Sequence, residues 1–260
     1  MIDIAQLVAN KSKIAAEKVQ QLKYTKGMPS QPVRLMATKA LNDDSDTVIE
    51  RSIVLNTYNW MDSHDDVHLD NVFEECLKTD KEHIAHLHDH IYNLTAKVGK
   101  PIDVYEEKIA WQDLGVDKEG ETMALIMDSA IQQKLNAQIF EMYKDGEINQ
   151  HSVGMRYGHI ELAVGDPRYE EEYSVWLAHI DKIGNKEAAM AQNYFWAVHS
   201  AKVFEGSAVI AGSNELTPTR EKILDHLPNA TEQVENQESK TNSQKAAMLQ
   251  TKFNYLKTKC

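Results

Sequence analysis

Ile148-Asn149-Gln150-His151-Ser152-Val153-Gly154-Met155-Arg156-Tyr157 is the stretch from which the fold and chemistry of this chain can be worked out. It opens a run rich in strand-forming residues and places Ser152 two positions before a glycine. Three histidines lie upstream, in the segment 86–90, and Glu205 lies downstream in a second strand-like run. A serine, a histidine and an acid from separate parts of a chain are what a nucleophilic hydrolase has to bring together.

The composition predicts one folded domain with extensions. The chain has 260 residues, 42% of them hydrophobic, which is enough to build a sizeable core. We expect a helical extension at 1–30, the main domain at 31–216, and a flexible polar tail at 217–260 with a possible terminal helix. The tail is predicted because 229–245 has almost no large apolar residue to offset the entropy of ordering it.

Charge and cysteine content limit the function classes. The formal net charge of −12 argues against a nucleic-acid surface, since phosphate binding needs clustered Lys and Arg. The two cysteines, Cys76 and Cys260, cannot form a disulfide framework or a CxxC zinc site, so a reducing cytoplasm is expected. The N-terminal segment has an early acid and a short apolar stretch, and no unbroken apolar run approaches the roughly 20 residues of a membrane span. These features predict a soluble, unexported protein.

Apolar spacing predicts the following order of elements. An amphipathic helix is expected over 2–22, and packing on its own domain is favoured over docking on a partner. Strands are expected at 33–37, 47–55, 84–90, 102–111, 123–127 and 193–210, and helices at 69–77, 130–144, 169–183 and 186–192. Ser129 is predicted to cap the helix 130–144.

Two clusters invite a metal interpretation. The acidic loop 62–67 could hold a cation, but it lacks the even spacing and the glycine of a calcium loop. In the predicted strand 84–90, alternation places His86, His88 and His90 on one face. Alternate strand residues converge poorly on one zinc ion, so no metal or other cofactor is predicted. A solvated histidine face and one catalytic histidine with supporting neighbours both stay open.

The serine and the acid are ambiguous when each is considered alone. Ser152 precedes Val153 and Gly154, whose N–H groups could contribute to an oxyanion hole, and a glycine lets substrate backbone approach closely. An SxG sequence taken singly is weak, however, and most such serines are structural. Glu205 lies in an apolar run where a carboxylate is costly to bury unless it is paired, and a histidine is a suitable partner. A glutamate facing water on an edge strand explains it equally well.

Five loose motifs in one order give a resemblance over about 53–219. They are Asp-Ser followed by Asp-Asp-Val at 62–67 with Phe73 after it, Leu-x-x-His at 87–90, Val-Gly-Lys at 98–100, Asp-Gly ahead of Ser-Val-Gly-Met at 145–155, and Glu-Gly-Ser-Ala-Val ending in Gly-Ser-Asn at 205–214. With these motifs the chain resembles the prohead (capsid maturation) proteases of tailed phages. The fold of that family is similar to that of the herpesvirus assemblin protease.

The resemblance implies an α+β protein built round a mostly antiparallel, β-barrel-like sheet flanked by helices. It implies a serine endopeptidase in which Ser152 is the nucleophile, His90 the general base and Glu205 the acid that orients the imidazole. His88 stays open as the base, because the chain offers both His-Asp and Asp-His in this block. The interval from His90 to Gly99 and the helical segment 167–192 are longer than the family pattern, which leaves substrate preference unassigned.

The same resemblance implies partners and a location. The substrates would be the scaffold, the scaffold-like segment of the major capsid protein, and the enzyme itself, which could also form a homo-oligomer. The enzyme would act in the host cytoplasm, within the procapsid during assembly. Two rivals are kept: a non-enzymatic scaffold or capsid-assembly protein with the same fold, and a metal-dependent hydrolase that uses the cluster from His83 to His90.

Overall fold

The structure, a computed structural model, describes residues 3–21 and 47–220. Its helices are α1 (Ile4–Ala9), α2 (Lys11–Gln20), α3 (Glu74–Thr79), α4 (Ala137–Lys144), α5 (Glu170–His179) and α6 (Lys186–Gln192). Its strands are β1 (Val48–Thr57), β2 (Asp66–His68), β3 (Ala85–His88), β4 (Lys97–Ala110), β5 (Glu121–Gln132), β6 (His151–Val164), β7 (Tyr194–Ala208) and β8 (Thr219–Arg220).

Strand β7 connects the two halves of the sheet. The order is β2-β7-β3-β4-β5-β1-β8, and β6 pairs with β7 over nearly its full length. Since β6 occupies one edge of β7, β2 and β3 share the other edge, and both run parallel to β7. Among the described residues, five of the seven pairings between strands are antiparallel and two are parallel. The predicted α+β class is therefore confirmed in the form of an open, mixed sheet.

The central strands are covered on both faces. Alternate residues of a strand point to opposite faces, and Ile53 and Leu55 of β1 join one apolar cluster with Leu125 of β5. Val54 and Ile126 join a different cluster, around Trp60 and Trp111, whose ring centroids are 5.9 Å apart. A near-continuous apolar run in β1 is typical of such a doubly covered strand.

The N-terminal segment forms two helices that meet at Asn10, where a single helix was predicted. Asp3 caps α1 by accepting hydrogen bonds from the N–H groups of Ala5 and Gln6. The apolar residues that predicted the helix pack on the core: Leu7 is buried in it, and Ile4, Val8, Ile14, Ala15 and Val19 lie against it. Packing of these helices on their own domain is confirmed.

A buried ion pair fixes α2 to the sheet. Lys18 Nζ contacts Asp66 Oδ1, and Tyr157 donates its hydroxyl to Asp66 Oδ2 over 2.8 Å. The side chain of Asp66 is fully buried, and that of Lys18 is 14% exposed. Burial and the neighbouring charge of Asp66 raise the pKa of Asp62 to about 7. Lys18 therefore supplies the countercharge for a buried acidic pair at the start of β2.

Two predicted elements need correction. The strand predicted over 84–90 ends at His88, because Asp89 and His90 adopt left-handed backbone conformations with φ of 51° and 54°. Ser129 is not a helix cap: it lies buried in β5, which continues to Gln132, and α4 begins only at Ala137 with Asn136 as its N-cap. Strand β3 is thus too short for three histidines to share one face.

The other predicted strands and helices within 47–220 correspond to β1, β4, β5, β7, α3, α5 and α6, with shifted boundaries. The predicted strand 33–37, the boundary at residue 30 and 221–260 of the predicted tail lie outside the described residues. The first four residues of that tail, 217–220, are not flexible extensions: Thr217 is buried, and β8 pairs with β1. No helix among the described residues combines the length and apolar character needed to cross a membrane.

Replacing Lys18 tests the buried pair. We expect Lys18→Met to lower the free energy of unfolding by about 3–5 kcal/mol, because it leaves the buried Asp66 carboxylate without its countercharge. Lys13→Met is the matched control: Lys13 is 77% exposed and lies 4.0 Å from Glu17, so its loss should change stability by under about 0.5 kcal/mol. Urea unfolding of both variants measures the difference, and equal losses would contradict the assignment.

Candidate catalytic site

The sheet order brings the three candidate segments together. Strands β3 and β6 flank opposite edges of β7, and their contacts converge near Glu205. His86 pairs with Gly206 on one side, and Val153 pairs with Gly206 on the other. His90, Ser152 and Glu205 are far apart in sequence but lie at one end of β7.

The Glu205 carboxylate is fully buried and hydrogen-bonded through both oxygens. His90 Nδ1 is 2.6 Å from Oε1, and the hydroxyl of Ser207 donates to Oε2 over 2.6 Å. The side chain of Glu205 has no exposed surface, and that of His90 is 7% exposed. A buried carboxylate needs such partners, and bonds to it are among the stronger ones in proteins.

The His90–Glu205 bond fixes the histidine tautomer. An ionised carboxylate only accepts hydrogen bonds, so Nδ1 must donate and therefore carries a proton. In the neutral imidazole, Nε2 then has the lone pair that can accept a proton. This is the protonation pattern that a general base needs when a carboxylate orients it.

A left-handed turn after β3 aims His90 at β7. Asp89 and His90 both have positive φ, a conformation in which Asp and His are enriched among residues other than glycine. The N–H of Asp89 donates to the carbonyl of Ala208, and the N–H of His90 donates to Ser207 Oγ over 3.2 Å. These bonds hold the turn on the end of β7, with the imidazole over Glu205.

Gly154 provides the room for the Glu205 side chain. A Cβ at position 154 would lie 2.0 Å from Glu205 Oε1, closer than any real contact. The sequence interpretation, that this glycine admits substrate backbone, is replaced by a contact within the protein. The register also shifts here, since Gly154 pairs with Glu205 and Met155 pairs with Val203. Phe204 is therefore the extra residue of a bulge beside the acid, and bulges commonly re-aim side chains at functional sites.

Ser152 lies one cross-strand position from this network. It pairs with Ser207, so their side chains point to the same face of the sheet, and it is 4% exposed. Ser207 was missed as a site residue by sequence reasoning. It stands two positions after Glu205, and the period of a strand places both on one face.

The ladder distinguishes the two predicted oxyanion donors. Hydrogen-bonded and non-hydrogen-bonded pairs alternate along antiparallel strands, and the N–H of Val209 donates to the carbonyl of Gln150. Gly154, four positions along from Gln150, is then expected to use its N–H in the ladder with Glu205. The N–H of Val153 points away from β7 and stays the candidate donor.

His88 lies apart from the acid. It pairs with Ala208, and its Nδ1 is 3.1 Å from Asp89 Oδ2, whereas it is His90 that contacts Glu205. His83 is exposed on the turn before β3. Among the described residues, the group of three close metal-type donors is His159, Glu161 and His199, in a different part of the sheet.

A second buried network holds the strand that carries Ser152. His86 Nδ1 is 2.8 Å from Ser129 Oγ, and its Nε2 is 3.1 Å from the Tyr143 hydroxyl. Tyr143 in turn is 2.9 Å from His151 Nε2, and His151 Nδ1 donates to the carbonyl of Thr217 over 2.9 Å. Burial, with His151 nearby, lowers the pKa of His86 to about 3, and burial lowers the pKa of His151 to about 4. Both imidazoles are therefore neutral at pH 7 and act as structural links.

Comparisons of the chain with protein-family models, with curated proteins and with solved structures find no match. The resemblance to prohead proteases is therefore carried by the motifs quoted above.

The neutral buried histidines predict acid sensitivity. Unfolded histidine binds a proton below about pH 6.5, whereas folded His86 and His151 do so only near pH 3 and 4. Between these values the unfolded state binds more protons, so stability falls as the pH drops from about 6.5 toward 4. Each histidine contributes up to about 1.4 kcal/mol per pH unit.

This slope can be measured by urea unfolding at a series of pH values. His86→Gln should reduce the slope by the contribution of about one proton. Replacing the exposed His83 with Gln should leave the slope unchanged. Comparing each variant with the wild type cancels the contributions of the other titrating groups to the slope. These include Asp62, whose raised pKa of about 7 acts in the opposite direction. An unchanged slope in His86→Gln would show that His86 is not buried as a neutral residue.

Gly154→Ala tests the contact with Glu205. We expect it to cost about 1–3 kcal/mol, because the added methyl displaces the buried carboxylate. The same change in a Glu205→Ala background should cost less, since the side chain it collides with has been removed. A thermal or urea double-mutant cycle measures this coupling, and purely additive losses would contradict it.

Proposed function

We propose that this protein is a serine endopeptidase in which Ser152 is the nucleophile, His90 the general base and Glu205 the acid that orients His90. The observation that carries the proposal is the 2.6 Å contact between His90 Nδ1 and the fully buried Glu205 carboxylate, whose other oxygen is bound by Ser207, the residue opposite Ser152. A histidine oriented by a carboxylate is of use mainly to a group whose proton it can take.

The chemistry assigns one role to each residue. His90 Nε2 takes the proton of Ser152 Oγ as the oxygen attacks the scissile carbonyl, and Glu205 stabilises the imidazolium that forms. The same proton passes to the leaving amine, and water then releases the acyl group by the reverse transfers. The N–H of Val153 is the candidate donor to the developing oxyanion, worth about 3 kcal/mol of transition-state stabilisation.

Local backbone features support a functional role for His90. Two consecutive non-glycine residues in the left-handed region cost on the order of 1–3 kcal/mol each, and such residues cluster at functional sites. The Phe204 bulge on the opposing strand adds a second irregularity beside the same carboxylate.

The proposed substrates follow the resemblance. They are the scaffold protein, the scaffold-like segment of the major capsid protein, and the chain itself, cleaved in the host cytoplasm inside the assembling procapsid. The polar composition of 229–245 makes that segment a candidate for self-cleavage. Its composition is the support for this assignment.

One observation favours the rival of a non-enzymatic assembly protein. Ser152 is 4% exposed, so a peptide must displace covering groups before it can reach the hydroxyl. An enzyme that stays latent until it is enclosed with its substrates would share this feature. Activity and its residue dependence therefore distinguish the two.

Self-cleavage and active-site labelling test the proposal together. Intact-mass spectrometry of the expressed chain should show terminal shortening in the wild type and full mass in Ser152→Ala. His90→Gln and Glu205→Gln should slow shortening by on the order of 10³-fold to 10⁴-fold, and His88→Gln, the matched control, by under about twofold. A fluorophosphonate probe should label Ser152 in the wild type, which reports the nucleophile without any substrate.

The outcomes separate the alternatives. Shortening of Ser152→Ala at the wild-type rate would assign the cleavage to a host protease. A large loss in His88→Gln with none in His90→Gln would transfer the role of base to His88. Full mass in every chain, together with no labelling of Ser152, would favour the assembly protein.

A further inference from the structure

The β6–β7 ribbon gathers a second set of polar side chains away from the candidate triad. Glu161 pairs with Ala197, so their side chains lie on one face of the sheet. Alternate residues of a strand share a face, so His159 on β6 and His199 on β7 lie on that face too. The ladder is locally irregular at His159, and its register is the same before and after that residue.

The three side chains bring their donor atoms together. One ligand atom from each of His159, Glu161 and His199 lies within 4.8 Å of the others. The ring centroids of the two histidines are 4.7 Å apart. A tetrahedral zinc ion with bonds of about 2.0–2.1 Å needs donors about 3.4 Å apart, so small side-chain rotations would complete the set.

His199 and Glu161 are in direct contact across the two strands. His199 Nε2 and Glu161 Oε2 are 2.8 Å apart, which is the distance of an ion pair. The contact holds an imidazole and a carboxylate, two kinds of donor that a zinc ion takes, side by side.

His179 packs against the same group. It is the last residue of α5, and its ring meets that of His199 edge to face with centroids 5.8 Å apart. Its Nδ1 is buried and has no hydrogen-bond partner among the described residues. The contact packs a third imidazole against the His199 ring.

We propose that His159, Glu161 and His199 form a binding site for a zinc-type divalent transition metal. Two imidazoles and one carboxylate are donors that zinc uses when it keeps a fourth position open. Imidazole ligands disfavour calcium and magnesium, which prefer oxygen. The bound ion would link neighbouring strands β6 and β7 beside the end of α5.

This site is separate from the candidate triad. His159 stands seven positions beyond Ser152 on β6, which corresponds to about 23 Å of extended strand. The proposal does not depend on protease activity, and a metal bound here would not contact the scissile bond at Ser152.

Zinc binding to the full-length chain tests the proposal. The purified protein is stripped with chelator and titrated with ZnSO₄ by calorimetry, and bound metal is measured after gel filtration. We expect one zinc per chain and a rise in melting temperature that EDTA reverses. His159→Gln and His199→Gln should each weaken zinc binding by on the order of 100-fold, since losing a ligand costs at least as much as losing a supporting partner of one.

The controls make the result decisive. His83→Gln removes an exposed histidine elsewhere and should leave zinc affinity unchanged. His159 is exposed, so its variant should melt at the wild-type temperature without metal, which separates loss of binding from loss of folding. No stoichiometric zinc, or zinc retained equally in His159→Gln, His199→Gln and Glu161→Gln, would overturn the site.

Discussion

Burial of the Glu205 carboxylate is the constraint on which the arrangement of the candidate site depends. A charge without exposed surface has to be matched by donors, and the surrounding chain supplies them from two segments. Ser207 does so from the same strand, and His90 does so from a turn that requires two left-handed residues. Gly154 leaves the volume in which the carboxylate lies. Removing any of these features would leave the charge unpaired or displaced.

The topology of the sheet explains how distant segments of the chain reach the Glu205 carboxylate. Strand β7 is bordered by β6 on one edge and by β3 on the other, so a residue near its end has neighbours from two distant parts of the chain. The His86–Tyr143–His151 network lies beside the same end and ties β3, α4 and β6 to one another. Buried hydrogen-bonded chains of this type are costly to satisfy in part, so they specify one register. The position of Ser152 opposite Ser207 is thus fixed by groups that take no part in the proposed chemistry.

Sequence periodicity predicted the elements well where burial follows a simple pattern. The apolar positions of 2–22 that the structure describes pack on the core, and the α+β class is confirmed. The errors fall where the decisive signal is not local. Asp89 and His90 are of types enriched in left-handed backbone, but their turn depends on bonds to β7 that the local sequence does not show. Ser129 resembles a helix cap, but its hydroxyl is used by His86, which lies 43 residues upstream.

The site residues also divide into those that the sequence could predict and those that it could not. Glu205 as a buried, paired acid could be anticipated from the cost of burying a charge in an apolar run, and Ser207 from the period of a strand. The sequence could not show that Glu205 contacts His90 and not His88, since this depends on where β3 ends. The group His159, Glu161 and His199 was missed because it joins two strands, and the sequence does not show which residues of β6 and β7 lie opposite each other.

Both polar clusters lie on the β6–β7 ribbon, and different features of the ribbon place them. In a regular ladder, side chains on one face are held at fixed spacing and point straight out of the sheet. Beside the candidate triad an extra residue, Phe204, breaks that spacing next to Glu205. At the second cluster the register is the same on both sides of a local irregularity, and cross-strand pairing brings His159, Glu161 and His199 to one face. The long ribbon therefore supports one cluster at a bulge and the other in ordinary register.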